Sequence, residues 1–130
     1  MPRVAEEITG LSSFSDSDSW PLISIEQAVE GLGGSVAAFR DVAQVFLDHL
    51  PKAAAALSGT HDTHTLLPVI HELASSLGTV GAIRAHRVAR DIEARWRRGQ
   101  VDDAVQSTAE LKAVVAASVE ALATAMAADR

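Results

Sequence analysis

The reading of this chain turns on His71-Glu72-Leu73-Ala74-Ser75-Ser76-Leu77-Gly78-Thr79-Val80-Gly81-Ala82. Leu73, Leu77 and Val80 continue a stripe that Leu66 and Ile70 begin, in steps of four and three, which is helical spacing. The stripe predicts a helix that opens at an Asp62 or Thr63 cap and runs to about Val80. Gly81 suits the left-handed residue that closes such a helix. His71 follows Ile70 and so lies about 100° round the helix, beside the buried stripe. Ala74, Ser75 and Gly78, at plus three, four and seven, share its face and are too small to cover an imidazole. The ring is then steadied by the protein on one side and open on the other. Ala74, Ser75 and Gly78 are accordingly the expected partner-binding surface. A neutral imidazole nitrogen is a competent nucleophile near neutral pH, and this placement lets it meet a reactive group on another protein. The same spacing also fits a hydrogen-bonded histidine at a core edge with no chemistry of its own.

Outward from this helix, the composition favours more of the same. Of 130 residues, 48% are apolar, but aromatics are limited to two Trp and three Phe, with alanine the dominant small residue. Alanine is the best helix former and contributes little to strands. A chain of this length forms one domain with a substantial core. The net charge of -6 argues against a general nucleic-acid binder. Without cysteine there is no disulfide, thiolate metal site or cysteine nucleophile. No uninterrupted apolar run reaches the roughly 18 residues of a membrane span, and the N-terminus lacks the layout of a signal peptide. A soluble cytoplasmic protein is expected.

Residues 1–20, with Ser12, Ser13, Ser15, Ser17 and Ser19 around Asp16 and Asp18, read as a flexible acidic tail, with Phe14 or Trp20 tucked against the rest. The bundle proper is expected over 21–130. Ser24 caps a short helix from Ile25 to about Glu30, ended by Gly31-Leu32-Gly33-Gly34. Ser35 caps a helix from about Val36 to Leu57, whose inner residues are Phe39, Val42 or Ala43, Phe46, Leu50 and Leu57. Pro51 lies inside it and bends it without ending it. Ser58-Gly59-Thr60 breaks the chain before the His71 helix. A further helix from Ala82 to Arg98 turns Ala85, Val88 or Ala89, Ile92 and Trp96 inward and stops at Gly99. The last helix opens at Asp102 and Asp103, favourable at a positive helix end. It continues through Ala104, Thr108, Leu111, Val115, Leu122 and Met126. The predicted fold is all-α: an antiparallel up-down-up-down four-helix bundle with a short extra N-terminal helix.

Two other clusters bear on function. His61-Asp62-Thr63-His64 places two histidines three apart, but zinc needs three or four ligands, and His49 or His71 would have to converge on them. A solvated helix start is the expected reading, with no metal site. Arg84, Arg87, Arg90, Arg95, Arg97 and Arg98 make the fourth helix basic. That is a solvated face, or part of a surface that steers an acidic partner.

The segment at 71–82 resembles the signature of the histidine phosphotransfer (HPt) domain, His-x-Leu-Lys-Gly-Ser-x-x-x-Leu-Gly-Ala. His71, Leu73, Ser76, Gly81 and Ala82 match, with Val80 in place of the leucine. Leu32-Gly33-Gly34-Ser35 followed by Phe39 resembles the family's Leu-Gly-Gly-Asp turn. Phe46-Leu47-Asp48-His49-Leu50-Pro51 resembles its Phe-Leu-x-x-Leu-Pro segment, and Ile92-Glu93 its Leu-Glu pair on the helix facing the histidine. In order, these span roughly residues 24–126.

The resemblance implies a phosphorelay carrier rather than an enzyme. Its histidine, here His71, takes a phosphoryl group from the aspartate of a response-regulator receiver domain, or from a hybrid histidine kinase, and gives it to another receiver. No cofactor is implied on this chain, since the receiver supplies the magnesium ion and the acidic pocket. Neither nucleic acid nor membrane is an expected partner, and a monomer is expected. Glu93 would accept from the second ring nitrogen of His71 and fix its tautomer; pairing with Arg90 or Arg97 along its own helix is the competing expectation. Ala74 and Ser75 depart from the family's lysine and glycine, which predicts a less stabilised phosphohistidine unless Arg90 or Arg97 supplies the charge. The alternative functions are a transfer-deficient adaptor that binds a receiver or kinase through the same face, and a metal-dependent bundle.

Overall fold

Serine side chains start the first two helices as expected. The Ser24 hydroxyl accepts from Gln27 N at 3.2 Å and opens α1, Ile25–Gly31. The Ser35 hydroxyl accepts from Ala38 N at 3.0 Å and opens α2, Val36–Ala56. Each cap satisfies a backbone donor that has no partner inside its helix. Then follow α3, Thr63–Thr79, α4, Ile83–Arg97, and α5, Ala104–Ala128. A computed structural model describes residues 20–57, 63–100 and 104–128. Residues 1–19 of the proposed tail with Phe14, the break Ser58-Gly59-Thr60, the caps Asp62, Asp102 and Asp103, and His61 lie outside the described residues, as do the side chains of Thr63 and Ala104.

The described residues form five helices and no strand. Helices α2 to α5 make a ring in which each packs against its neighbours in sequence, and α5 closes back on α2. The α1 helix lies against α2 and α3. This is the expected helical bundle.

The core is the stripes read from the sequence. Leu66, Ile70, Leu73, Leu77 and Val80 of α3 and its turn are all buried, as are Ala85, Val88, Ala89, Ile92 and Trp96 of α4. In α2 the buried residues are Phe39, Ala43, Leu50 and Ala54, while Phe46 is only partly covered. Pro51 is accommodated inside α2, and Pro68 inside α3. In α5 the buried line is Ser107, Thr108, Leu111, Val115, Ser118 and Leu122, with Met126 at its edge. The buried Ser118 hydroxyl donates to the Val114 carbonyl at 2.7 Å, which removes the cost of an unpaired polar group.

Gln106–Ala128 is long and apolar enough, by length and composition, to cross a membrane, with a mean hydropathy of 1.5. Its many alanines raise the mean even though charged residues such as Glu110, Lys112 and Glu120 interrupt every apolar run. In this fold one face of the helix packs on α2 and α4.

The turn from α3 to α4 is tied down by the chain ahead of α1. Gly81 has φ +79°, and a Cβ there would run into the Ser24 carbonyl, so both the conformation and the space demand glycine. Ser24 N donates to Gly81 O at 2.7 Å. Ala82 at the start of α4 makes no side-chain cap; instead Arg84 N donates to Leu22 O at 3.5 Å. The Arg84 guanidinium donates twice to the Trp20 carbonyl, at 2.7 and 3.0 Å, and Arg87 lies 4.1 Å over the Trp20 ring. Trp20 is therefore held by the basic helix, as one expectation for the tail had it.

Candidate functional site

Small side chains set the geometry of the site. Ala74 on α3 and Ala82, Ala85 and Ala89 on and before α4 are all fully buried. They let α3 and α4 approach closely along the most extensive helix pair in the bundle. Glu93, one turn beyond Ala89, is thereby brought to the flank of α3 beside His71. The His71 Nδ1 donates to Glu93 Oε2 at 2.7 Å. The His71 side chain is 54% exposed, whereas Glu93 is 8% exposed.

Arg97 completes the cluster. Its Nη2 and Nε donate to the same Glu93 Oε2, at 2.7 and 3.2 Å. The two expectations for Glu93 were thus not exclusive: one carboxylate oxygen serves the imidazole across the interface and the arginine one turn on. Burial pushes the Glu93 carboxyl up, but the hydrogen bonds and charges of Arg97 and His71 outweigh it, and the carboxyl lies below its ordinary value. An ionised carboxylate only accepts, so the proton of this bond belongs to His71 Nδ1; in the neutral imidazole the lone pair is then on Nε2.

His71 and Arg97 share an open groove of about 600 Å³, with Leu67, Pro68 and Val69 as its apolar part and His64 and Glu72 at its edges. His64, read from the sequence as half of a metal pair, is two helical turns from His71 on the same face. Among the described residues no group of three or more His, Asp or Glu is placed to hold a metal.

The expected partner-binding residues separate. Ser75 is exposed and Gly78 half-buried, and both line a second cavity of about 510 Å³ with Gln27, Thr79, His86 and Arg90. Ala74 is corrected: it is 0% exposed and faces α4, so it offers nothing to a partner. It lies on the side of the helix that turns from His71 toward Ile70 and Leu77. His86 was missed. Its Nδ1 donates to the Ala74 carbonyl at 2.7 Å, and its ring fills the space beside Gly78. A histidine among the arginines of α4 carries no periodic signal; only the pairing of Gly78 with a bulky residue across the interface would have revealed it. The arginines of α4 also divide. Arg84 and Arg87 hold Trp20, Arg95 is 3.7 Å from Asp91, Arg97 serves Glu93, and Arg90 lines the second cavity.

A bundle with a half-exposed histidine oriented by a buried carboxylate is the layout of a phosphotransfer module. The model of the Hpt domain matches residues 36–125, and the chain belongs to that family. Membership implies phosphotransfer in two-component signalling, by a phosphocarrier module whose family interacts with receiver domains and histidine kinases. No curated protein and no solved structure gives a significant match to the chain.

Proposed function

We propose that His71 carries the phosphoryl group, accepting it from the aspartyl phosphate of a receiver domain, or from a histidine kinase, and passing it to another receiver. The observation that carries this reading is the 2.7 Å bond from His71 Nδ1 to Glu93 Oε2, combined with the 54% exposure of the ring. With Glu93 ionised, this bond supports a proton on the inner nitrogen and leaves the Nε2 lone pair as the nucleophile. That lone pair attacks phosphorus in line with the acyl phosphate oxygen. The N–P bond forms as the P–O bond breaks, and the electron pair leaves with the receiver aspartate. While Nδ1 keeps its proton the phosphorylated ring is cationic, and Glu93 stabilises that charge. Reversal of these steps delivers the group to the next receiver.

This chain supplies the nucleophile and its orientation. The magnesium ion and acidic pocket are contributed by the receiver, so the carrier needs no cofactor of its own. The apolar wall of Leu67 and Pro68 next to His71 suits a protein partner that must exclude water around the transferring group. A cytoplasmic monomer fits this role.

The test is incubation with receivers charged by acetyl phosphate, or with an active hybrid kinase. Acid-labile label is expected on the wild-type chain and absent from His71→Gln. Binding of a charged receiver without transfer would instead assign the chain to the adaptor class.

A further inference from the structure

The charge balance of the groove singles out Arg97. A phosphoryl group on Nε2 brings about two negative charges to a surface that already holds Glu72 and, behind the ring, the ionised Glu93. Among the described residues that line this groove, Arg97 carries the one permanent positive charge. Its Nη2 and His71 Nδ1 bond the same oxygen, so the guanidinium lies within two hydrogen-bond lengths of the imidazole. Its side chain is 59% exposed, which leaves the planar fork free to turn about the Glu93 contact. Five donors on one guanidinium suffice for the carboxylate and a phosphoryl oxygen together.

Resting on the reading of His71 given above, we propose that Arg97 is a catalytic residue that binds the phosphoryl group on His71. In the free protein the guanidinium is held by Glu93, keeps that carboxylate ionised and so maintains the proton on His71 Nδ1. When the N–P bond forms, one face of the guanidinium takes up a phosphoryl oxygen while the other stays on Glu93. No proton or electron is exchanged in this step; a hydrogen bond is made to an oxyanion that did not exist before. Arg97 thus stabilises the phosphorylated state more than the free one, which prolongs its lifetime between partners.

The experiment loads the full-length chain with phosphoramidate, which phosphorylates exposed imidazoles without a receiver. The phosphohistidine signal is followed by ³¹P NMR at neutral pH in wild type, Arg97→Gln, Arg97→Lys, and the exposed neighbour Arg98→Gln as a charge control. Loss of one charge-assisted hydrogen bond at a half-exposed site is expected to shorten the phosphohistidine lifetime by about three- to tenfold in Arg97→Gln. Arg97→Lys is expected to recover part of the loss, Arg98→Gln none of it, and the ³¹P shift to move only in the Arg97 variants. Circular dichroism melts identify any variant whose fold is lost; for such a variant, wild type in rising salt supplies the second measurement, with a falling lifetime expected. Equal lifetimes and shifts in wild type and Arg97→Gln, with the signal confined to His71, overturn the role of Arg97 and leave the His71 reading intact. A signal that persists in His71→Gln and is absent from His71, or no signal in wild type, overturns both.

Discussion

Gly78 of α3 and His86 of α4 occupy one site between them: a Cβ on Gly78 would stand 3.0 Å from His86 Nδ1 and 3.1 Å from Cε1. The imidazole cannot simply withdraw, because its Nδ1 donates to the Ala74 carbonyl at 2.7 Å. Gly78→Ala therefore sets a gain of about 1 kcal/mol in helix propensity against an overpacking cost of about 1–3 kcal/mol. Net destabilisation is expected in wild type and net stabilisation in a His86→Ala background, where the space is open. Urea denaturation of the four proteins of this double-mutant cycle measures the change of sign; the same effect of Gly78→Ala in both backgrounds would contradict the packing described.

Position 74 gives the second prediction. A lysine there matches the family signature, yet Ala74 is fully buried beneath α4. Ala74→Lys is expected to separate α3 from α4 and lower stability by about 1–3 kcal/mol, while weakening the His71–Glu93 bond that depends on their approach. Phosphohistidine lifetime should fall or stay level. A stable Ala74→Lys protein with a longer-lived phosphohistidine would show that residue 74 can face outward.

Glu93 gives a prediction in pH. Its carboxyl lies below its ordinary value because the Arg97 and His71 contacts outweigh the upward push of burial. A group lowered in the folded state stabilises the fold fully above its unfolded pKa, ~4.3 for Glu. That contribution is lost as pH falls through the lower folded value. The stability difference between wild type and Glu93→Gln should therefore be largest at pH 6–7, about 1.5–3 kcal/mol for a hydrogen-bonded buried charge. It should begin to shrink below about pH 5 and go on shrinking into the acid range. Thermal melts across that range check it; a difference that grows toward acid pH would contradict the assignment.

These contacts also show what the amino-acid sequence carried and what it did not. The stripe Leu66, Ile70, Leu73, Leu77 and Val80 is legible because large apolar side chains recur at helical spacing, and all five are buried. Ser24 and Ser35 are legible because a cap is a local interaction three residues long. The α5 helix is harder to read, since its many alanines lie outside the buried line while Ser107 and Ser118, polar in type, lie within it. Glu93 was legible as a candidate, but its double use was not, because spacing along α4 says nothing of α3. The burial of Ala74, the lodging of His86 and the clamp of Arg84 and Arg87 on Trp20 all depend on how closely one helix approaches another segment. That distance is set by several small residues together and leaves no mark at any single position.

In the proposed function Glu93 holds the His71 proton on Nδ1 so that Nε2 is the atom phosphorylated. Long-range ¹H–¹⁵N correlation spectra of the His71 ring, recorded before and after charging by a receiver, test it most directly. An Nδ1–H tautomer is expected in the free protein and phosphorus coupling at Nε2 in the charged one, with the tautomer preference weakened in Glu93→Ala. An Nε2–H tautomer in the free protein, or phosphorylation at Nδ1, would contradict it.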